Sequence, residues 1–310
     1  MQSSAEAYSN VVMSIARKIL ILGRTGQLGH ALQAAYQGRA EKVICLDRNA
    51  CDLSAIPNKL RASLEPYKDV DLIIIAAAYT QVDAAESDAA TAHAVNGTAP
   101  KIIGEFAADH DIAVLHISTD YVFNGRADVP YKPDHPIDPI NVYGQTKAAG
   151  EAGVLGSNAR CAVVRTSWVY DALGKNFLTT MLRMGQTRTD VSVVSDQFGR
   201  PTYAPHLARH LVVFAQGLMA RDKAYEGLFH MSGAGIAMSW ADFARDIFTV
   251  FADELPHCVH VHDIAAKDFP VEAKRPTYSV LDIKDTERVL GYALPDWREG
   301  VKAAYRARKT

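Results

Sequence analysis

Short apolar runs recur along the first half of the chain, and helical patterns separate them. The runs are Lys18 to Leu22, Lys42 to Leu46, Asp71 to Ala76, Ala113 to Ile117 and Ala162 to Thr166. Strands that alternate with helices are typical of a right-handed, mostly parallel sheet. The pattern predicts an α/β fold with a doubly wound parallel sheet.

The pattern changes after the fifth run and predicts a second, smaller α/β lobe that binds substrate. A helix over Asn176 to Met184 and a strand over Val191 to Val194 lead into it, while Leu207–Phe214 and Gly227–Met231 return to the first unit. We therefore predict a nucleotide-binding domain over residues 18–170, with about 203–235 returning to it. Residues 171–202 and 236–310 form the second lobe, and residues 1–17 a flexible extension without an assigned function.

Composition narrows the class of protein. The chain has 310 residues, 48% of them hydrophobic and 22% charged, and a formal net charge of −2. Near-neutral charge gives no reason to expect nucleic acid or a membrane surface as partner, and no apolar stretch approaches the 18 residues of a membrane span. The four cysteines show no C-x-x-C spacing, which favours a reducing, cytoplasmic location.

A glycine-rich turn follows the first apolar run. Gly23-Arg24-Thr25-Gly26-Gln27-Leu28-Gly29 stands between that run and the helical pattern His30 to Tyr36. Strand, glycine loop and helix start in this order form the pyrophosphate cradle of a Rossmann-type dinucleotide fold. Asp47 ends the second run, where an acid can accept a hydrogen bond from the adenine ribose.

Tyr143 and Lys147 form a Y-x-x-x-K pair on a predicted helix. Residues four apart share one helix face, with about 5–6 Å between Cβ atoms. A lysine ammonium and a nearby cofactor charge can lower a phenol pKa from about 10, and such a phenol can protonate a carbonyl oxygen while a hydride reaches the carbon. Most such pairs are ordinary surface residues, but the glycine turn and Ser118-Thr119-Asp120-Tyr121 favour the catalytic reading here.

Several other positions leave two interpretations open. Asn96 could bond backbone and hold a water near Lys147, or it could be an ordinary buried amide. The small residues Ala76-Ala77-Ala78 could let the ribose of a cofactor lie against the backbone, or they could allow a helix to pack tightly. Trp168 and Tyr170 fit a sugar or nucleotide platform, or core packing between lobes.

Taken together, these motifs resemble the extended short-chain dehydrogenase/reductase superfamily, and within it the dTDP-4-dehydrorhamnose reductase family. The resemblance covers Lys18 to Ala304. It is carried by Gly26-Gln27-Leu28-Gly29, Ala76-Ala77-Ala78-Tyr79-Thr80-Gln81-Val82-Asp83 with Glu86, Ser118-Thr119-Asp120-Tyr121-Val122-Phe123, Asn141-Val142-Tyr143-Gly144-Gln145-Thr146-Lys147, Arg165-Thr166-Ser167-Trp168-Val169-Tyr170, Asp196-Gln197-Phe198-Gly199-Arg200-Pro201-Thr202, Arg275-Pro276-Thr277-Tyr278-Ser279-Val280-Leu281-Asp282 and Pro295-Asp296-Trp297.

The resemblance implies a reaction and a set of site residues. The reaction is reduction of the C4 keto group of a dTDP-linked 4-keto-6-deoxy sugar, which supplies rhamnose to cell-surface polysaccharide. Tyr143 is the implied proton donor, Lys147 bonds the nicotinamide ribose and lowers the pKa of Tyr143, and Thr119 polarises the keto oxygen. Implied cofactor contacts are Gly23, Thr25, Gly26, Gln27, Leu28, Gly29, Asp47, Arg48, Asp52, Leu53, Ala76, Ala77, Ala78, Thr80, Asn96, Tyr143 and Lys147. Implied substrate contacts are Val82, Asp83, Thr119, Asp120, Tyr121, Trp168, Asn176 and Gln197.

Cofactor choice rests on opposing charges. Asp47 repels a 2′-phosphate and favours NADH, whereas Arg24 and Arg48 attract that phosphate. We expect NADPH as the main donor with NADH also accepted. The resemblance also allows a homodimer and an Mg²⁺ ion, for which the sequence assigns no ligands.

Three other functions compete with this reading. The related 4,6-dehydratases carry Thr-Asp-Glu after the fourth strand, and here Tyr121 follows Asp120, which disfavours elimination. A reductase of a related deoxysugar in secondary metabolism is a rival within the enzyme class. A non-catalytic relative similar to the regulatory subunit of methionine adenosyltransferase is a rival from another class.

Two metal-like spacings are interpreted as structural. Cys258, His260 and His262 alternate, and we read them as a polar edge strand. His206 and His210 are four residues apart, and we expect solvated histidines on a helix that packs Leu207 and Leu211 inward.

Overall fold

The computed structural model describes residues 17–157 and 159–309. Residues 1–16, most of the predicted extension, lie outside the described residues. Arg17 already belongs to the fold, because its carbonyl accepts hydrogen bonds from the amides of Glu41 and Lys42. Its guanidinium forms an ion pair with Asp71 at 2.8 Å.

A six-stranded parallel sheet forms the centre of the molecule. Its strands are β1 (Lys18–Leu22), β2 (Lys42–Leu46), β3 (Leu72–Ile75), β4 (Ala113–Thr119), β5 (Cys161–Thr166) and β10 (Gly227–His230). They lie in the order β2-β1-β3-β4-β5-β10. The predicted fold class is confirmed.

Helices cover both faces of this sheet. They are α1 (Gln27–Tyr36), α2 (Pro57–Leu64), α3 (Val82–Ser87), α4 (Ala89–His93), α5 (Ala99–Asp109), α6 (Val142–Leu155) and α8 (Ala204–Met219), with a π-helical turn at Ala94–Thr98. Successive strand residues point to opposite faces, so Ile19 and Ile21 pack with α1 and α8 while Leu20 joins Leu60 and Phe106. Burial on both faces explains why the strands are continuous apolar runs.

The remaining elements form a smaller layered unit. They are β6 (Val169–Tyr170), α7 (Phe177–Gly185), β7 (Asp190–Val194), β8 (Phe198–Gly199), β9 (Thr202–Tyr203), β11 (Met238–Ser239), α9 (Trp240–Val250), β12 (His260–Ile264) and α11 (Trp297–Lys309). Helix α10 (Lys284–Leu290), which the sequence assigned to the second lobe, instead packs Val289 and Leu290 against the core of the central sheet. Strand β7 pairs with β12 and β6 with β9, both in parallel, and β8 pairs antiparallel with β11. Leu178, Phe243, Ile247 and Trp297 belong to the core of this unit.

Candidate active site

The glycine turn lies where the chain order of the sheet reverses. Strand β1 is flanked by β2 and β3, and ligands of such sheets bind at the carboxyl ends of the strands beside this point. Gly23 has φ 105°, and a Cβ there would lie 2.6 Å from the amide nitrogen of Ala77. A Cβ on Gly29 would lie 2.0 Å from the Gly23 carbonyl oxygen. The turn, the end of β3 and the start of α1 therefore pack at a distance that only glycine permits.

The first turn of α1 is open to an anion. Gly26 is its N-cap, and no side chain caps the helix. The first amides of a helix point outward and favour negative charge. Thr25 and Gly26 are exposed, whereas the side chain of Leu28 is in the core, which leaves only its backbone for a ligand. These residues fit the pyrophosphate of a dinucleotide.

Asp47 and its neighbours form a compact turn after β2. Asp47 Oδ1 accepts hydrogen bonds from the amides of Asn49 (3.0 Å) and Ala50 (3.2 Å). Arg48 lies 3.6 Å from Asp52, and both remain accessible. Leu53 is 6% exposed and packs in the core, so its side chain is not available to an adenine ring.

Asn96 fixes the chain that follows β3. Its Oδ1 accepts from the Tyr79 amide (2.8 Å), and its Nδ2 donates to the Tyr79 carbonyl (3.0 Å) and to Thr146 Oγ1 (3.2 Å). Asn96 lies in the π-helical turn, a distortion frequent at functional sites. The small residues Ala76 to Ala78 are thereby held beside Gly23.

Helix α6 places Tyr143 next to the end of β4. Asn141 caps this helix by accepting from the Gly144 amide at 2.8 Å. A Cβ on Gly144 would lie 2.1 Å from the Tyr121 carbonyl oxygen, so the helix start presses against the turn after β4. The Tyr121 and Tyr143 rings meet edge to face with centroids 5.5 Å apart. Thr119, Tyr143 and Lys147 are thus held on facing elements by backbone contact.

Burial shifts the pKa values of Tyr143 and Lys147 in opposite directions. Burial raises the pKa of Tyr143 to about 12, although the Thr119 hydroxyl opposes this shift. The expected lowering of this pKa by Lys147 together with a bound cofactor stays a prediction. Burial lowers the pKa of Lys147 to about 8, against the opposing effect of Glu151. Tyr143 consequently holds its proton at neutral pH.

Thr119 and Asp120 are bonded to each other. Thr119 Oγ1 donates to Asp120 Oδ1 at 3.0 Å and accepts from the Tyr121 amide at 3.2 Å. Burial raises the pKa of Asp120 to about 6, while the Ser279 and Thr119 hydroxyls lower it. Tyr121 occupies the position where an Asp–Glu pair would need its second carboxylate.

A buried ionic group behind this site was missed from the sequence. Glu151 follows Lys147 by one helical turn and accepts from Arg165 Nε (2.9 Å), from Arg165 Nη2 (2.6 Å) and from Ser118. His116 lies against Lys147, with 3.3 Å between Nε2 and Nζ. The i,i+4 spacing of Lys147 and Glu151 was the one available signal.

The predicted substrate residues fall in different surroundings. Asp83 pairs with Arg275 at 2.8 Å and accepts from the Ala273 amide at 3.1 Å. It follows Val82, the first residue of α3. Asn176 caps α7 and donates to the Asp171 and Leu173 carbonyls. Its amide therefore has structural partners already.

Trp168 forms an aromatic surface at the junction of the two units. It stacks on Trp240 with centroids 3.4 Å apart and rings 6° from parallel. Its φ is 47°, and a Cβ on Gly199 would lie 2.5 Å from the Trp168 ring. Gln197, two residues before Gly199, is 8% exposed.

The histidine segments do not form metal sites in the described part of the chain. Between residues 17 and 309, apart from position 158, no group of three or more His, Cys, Asp or Glu could hold a metal ion. His262 instead lies 2.7 Å from Asp190. The expectation that His210 is solvated is wrong: it is 4% exposed and its Nδ1 lies 3.1 Å from the Tyr292 hydroxyl. Helix α8 buries it together with Leu207 and Leu211 because the C-terminal segment covers that face.

The fold and this site define a nicotinamide-dependent oxidoreductase of the extended short-chain dehydrogenase/reductase class. A family model described as RmlD substrate binding domain matches residues 17–309, and the chain belongs to that family. Within the described residues, no helix is long and apolar enough to cross a membrane.

Named relatives agree with this assignment. A dTDP-4-dehydrorhamnose reductase of Sinorhizobium fredii is 37% identical over 289 residues, 92% of this chain and 95% of the relative. A Streptomyces antibioticus protein, named a probable dTDP-4,6-dihydroxy-2-methyloxan-3-one 4-ketoreductase, is 36% identical over 92% of this chain and 94% of its own. The crystal structure of a Bacillus anthracis dTDP-4-dehydrorhamnose reductase in complex with NADP has a TM-score of 0.85 and 32% identity, and the match covers 94% of this chain and 100% of that one.

Proposed function

We propose that this protein reduces the C4 keto group of dTDP-4-dehydro-β-L-rhamnose to give dTDP-L-rhamnose, with NADPH as the main hydride donor. The observation that carries this proposal is the placement of Thr119 and Tyr143 on facing elements, with Tyr121 in place of a second carboxylate. This set suits addition of a proton to a carbonyl oxygen and lacks the acid–base pair that elimination needs.

Each of the three central residues has one role in this scheme. When bound, the nicotinamide supplies the hydride to C4. Tyr143 donates its phenolic proton to the C4 oxygen, and its pKa of about 12 keeps that proton in place at neutral pH. Thr119 turns its hydroxyl from Asp120 to the same oxygen and polarises the carbonyl. Lys147 bonds the nicotinamide ribose, and its positive charge stabilises the tyrosinate that forms.

We place the cofactor across the start of α1 and the ends of β1 and β3. The amides of Gln27, Leu28 and Gly29 would hold its pyrophosphate, and Asp47 and Ala76–Thr80 would lie beside its riboses. Arg48 reaches a 2′-phosphate by releasing Asp52, an exposed pair that costs little to open. NADH is then accepted as a weaker alternative.

The substrate lies between the two units in this proposal. The paired Trp168 and Trp240 rings offer an aromatic face of the kind that stacks on a sugar or a base. Asp83 and Gln197 supply polar contacts, and Asn176 acts by fixing the start of α7. A cytoplasmic location and a homodimer stay predictions. Light scattering measures the size of the protein with and without Mg²⁺, the ion that the resemblance allows.

The test is NADPH oxidation, followed by nicotinamide absorbance. The substrate is dTDP-4-dehydro-β-L-rhamnose (dTDP-4-dehydro-6-deoxy-L-mannose), made in situ. We expect oxidation that depends on the sugar, a slower rate with NADH, and dTDP-L-rhamnose as the product. Binding of NADPH without oxidation by this sugar contradicts the proposal.

A second candidate is reduction of a related nucleotide-linked 4-keto deoxysugar. The Streptomyces antibioticus relative favours it, because its name states a different deoxysugar at almost the same identity. A panel of dTDP-4-keto sugars separates the two candidates by their kcat/KM values.

A further inference from the structure

His116 is a buried imidazole that the proposed reaction does not use. It lies in β4 between Ile75 of β3 and Val163 of β5 in the sheet register and is 0% exposed. Its side chain points to the face that α6 covers. A polar ring in this position is costly unless it has a hydrogen-bond partner.

That partner is the ammonium of Lys147. Lys147 Nζ donates to the Ile117 carbonyl at 2.7 Å and lies 3.3 Å from His116 Nε2. An ammonium only donates, so this contact needs Nε2 as an acceptor, and a neutral imidazole then carries its hydrogen on Nδ1. Nδ1 is buried and has no hydrogen-bond partner among the described residues. The ring is therefore held at this position through its Nε2 side.

The hydrogen bonds of the Asn96 side chain go to other groups. Its amide oxygen and nitrogen bond to Tyr79 and Thr146. The side chain that touches the Lys147 ammonium is His116, which comes from the strand that also carries Thr119.

We propose that His116 is a positioning residue that aims the Lys147 ammonium by accepting one of its three hydrogens at Nε2. The Ile117 carbonyl takes the second hydrogen, and the third is left for the ribose of the cofactor. The assignment of the third hydrogen to the ribose rests on the proposed function. The contact between Lys147 and His116 is independent of it.

The charges around Lys147 set the expected effect. Glu151 on the same helix favours the ammonium, and Arg165 of β5 is held by Glu151. Tyr143 lies one helical turn before Lys147, and Asp120 directly follows the strand that carries His116. Burial and the charge of Lys147 lower the pKa of His116 well below its ordinary value. His116 is therefore a neutral acceptor at neutral pH. Removing it destabilises the ammonium and lowers the pKa of Lys147 further.

Two measurements test this without relying on turnover. In the unaltered protein, ¹⁵N NMR of the histidine rings should show His116 neutral, with its hydrogen on Nδ1. The second measurement uses ¹³C-lysine-labelled protein. In His116→Leu the pKa of Lys147 should be about one unit lower than in the unaltered protein, which is a tenfold change in its protonation equilibrium. His116→Gln keeps an acceptor and should restore most of the shift.

Val114→Ala is the matched control, because Val114 is buried on the same strand and face but belongs to the apolar core. It should reduce stability and leave the Lys147 titration unchanged. In each active variant, the alkaline limb of the pH profile of kcat should shift together with the pKa of Lys147.

A hydrogen on Nε2 in the unaltered protein overturns the proposal, and this readout does not depend on any variant folding. An unchanged Lys147 titration in folded His116→Leu also overturns it. If the labelled protein behaves as expected but reduces no sugar, the proposed function fails while the role of His116 stands.

Discussion

The Arg165 guanidinium and the Glu151 carboxylate form a two-pronged ion pair in the interior, with N–O distances of 2.9 and 2.6 Å. Their side chains are 3% and 4% exposed. The pair connects β5 with α6 at a position one turn beyond Lys147. Arg165 Nη1 also donates to the Pro133 carbonyl at 3.1 Å, which ties the loop containing Pro133 to the pair. The buried ion pair therefore holds α6, the helix that carries the proposed acid Tyr143, against the central sheet.

Loss of Arg165 should destabilise the protein strongly. Arg165→Met leaves Glu151 buried without its counter-charge, which costs about 3–5 kcal/mol when one partner of a buried pair is removed. The free energy of unfolding from urea titration measures this loss. Lys302→Met is the control, since it removes the exposed pair with Glu299 and should change stability by about 0.5 kcal/mol or less. Equal effects in both variants would contradict the assigned role.

Tyr143→Phe should abolish most turnover and keep cofactor binding. The variant lacks the phenolic proton, and a lost general acid lowers the rate by about 10²-fold or more. We expect the NADPH dissociation constant, measured by fluorescence, to stay within about threefold, on the order of 0.6 kcal/mol. Turnover close to that of the unaltered enzyme would remove Tyr143 from its role.

Asp47→Asn should shift preference toward NADPH through charge alone. The asparagine oxygen can still accept from the Asn49 and Ala50 amides, so the turn keeps its shape while the repulsion of a 2′-phosphate disappears. The kcat/KM ratio for NADPH over NADH should rise about tenfold, which corresponds to about 1.4 kcal/mol. Asp47→Ala should shift the ratio the same way but also loosen the turn. An unchanged ratio in both variants would mean that Asp47 does not lie near the ribose.

Asp120→Asn should make the protein more stable at neutral pH and less active. The pKa of Asp120 is raised from 3.8 to about 6, so the folded protein binds this proton more tightly than the unfolded chain. The resulting stability is present below about pH 4 and is lost as pH rises toward 6. The free energy of unfolding of the variant, relative to that of the unaltered protein, should therefore increase between pH 4 and 6.5. The increase should total about 2–3 kcal/mol, because each pKa unit corresponds to about 1.4 kcal/mol.

Urea unfolding at several pH values measures that gain. Asp134→Asn, the same substitution at an exposed position, is the matched control. A constant stability difference for Asp120→Asn across this range would argue against a raised pKa.

The sequence was most informative where local physics decides the structure. Continuous apolar runs such as Leu72–Ile75 are typical of strands buried on both faces. Gly23 and Gly29 mark a turn that admits no Cβ. The i,i+4 spacing of Tyr143 and Lys147 follows from helix geometry. The sheet, the glycine turn and the proposed catalytic pair are therefore readable from residues close together in the chain.

Contacts between residues far apart in the chain were decided only by the tertiary structure. The burial of His210 depends on Tyr292, and Asp83 is paired by Arg275, 192 residues later. The contact of His116 with Lys147 depends on how α6 lies on β4, and the pKa of Tyr143 depends on how deeply that packing buries it. Desolvation and pairing depend on three-dimensional neighbours, which no local pattern of this chain specifies.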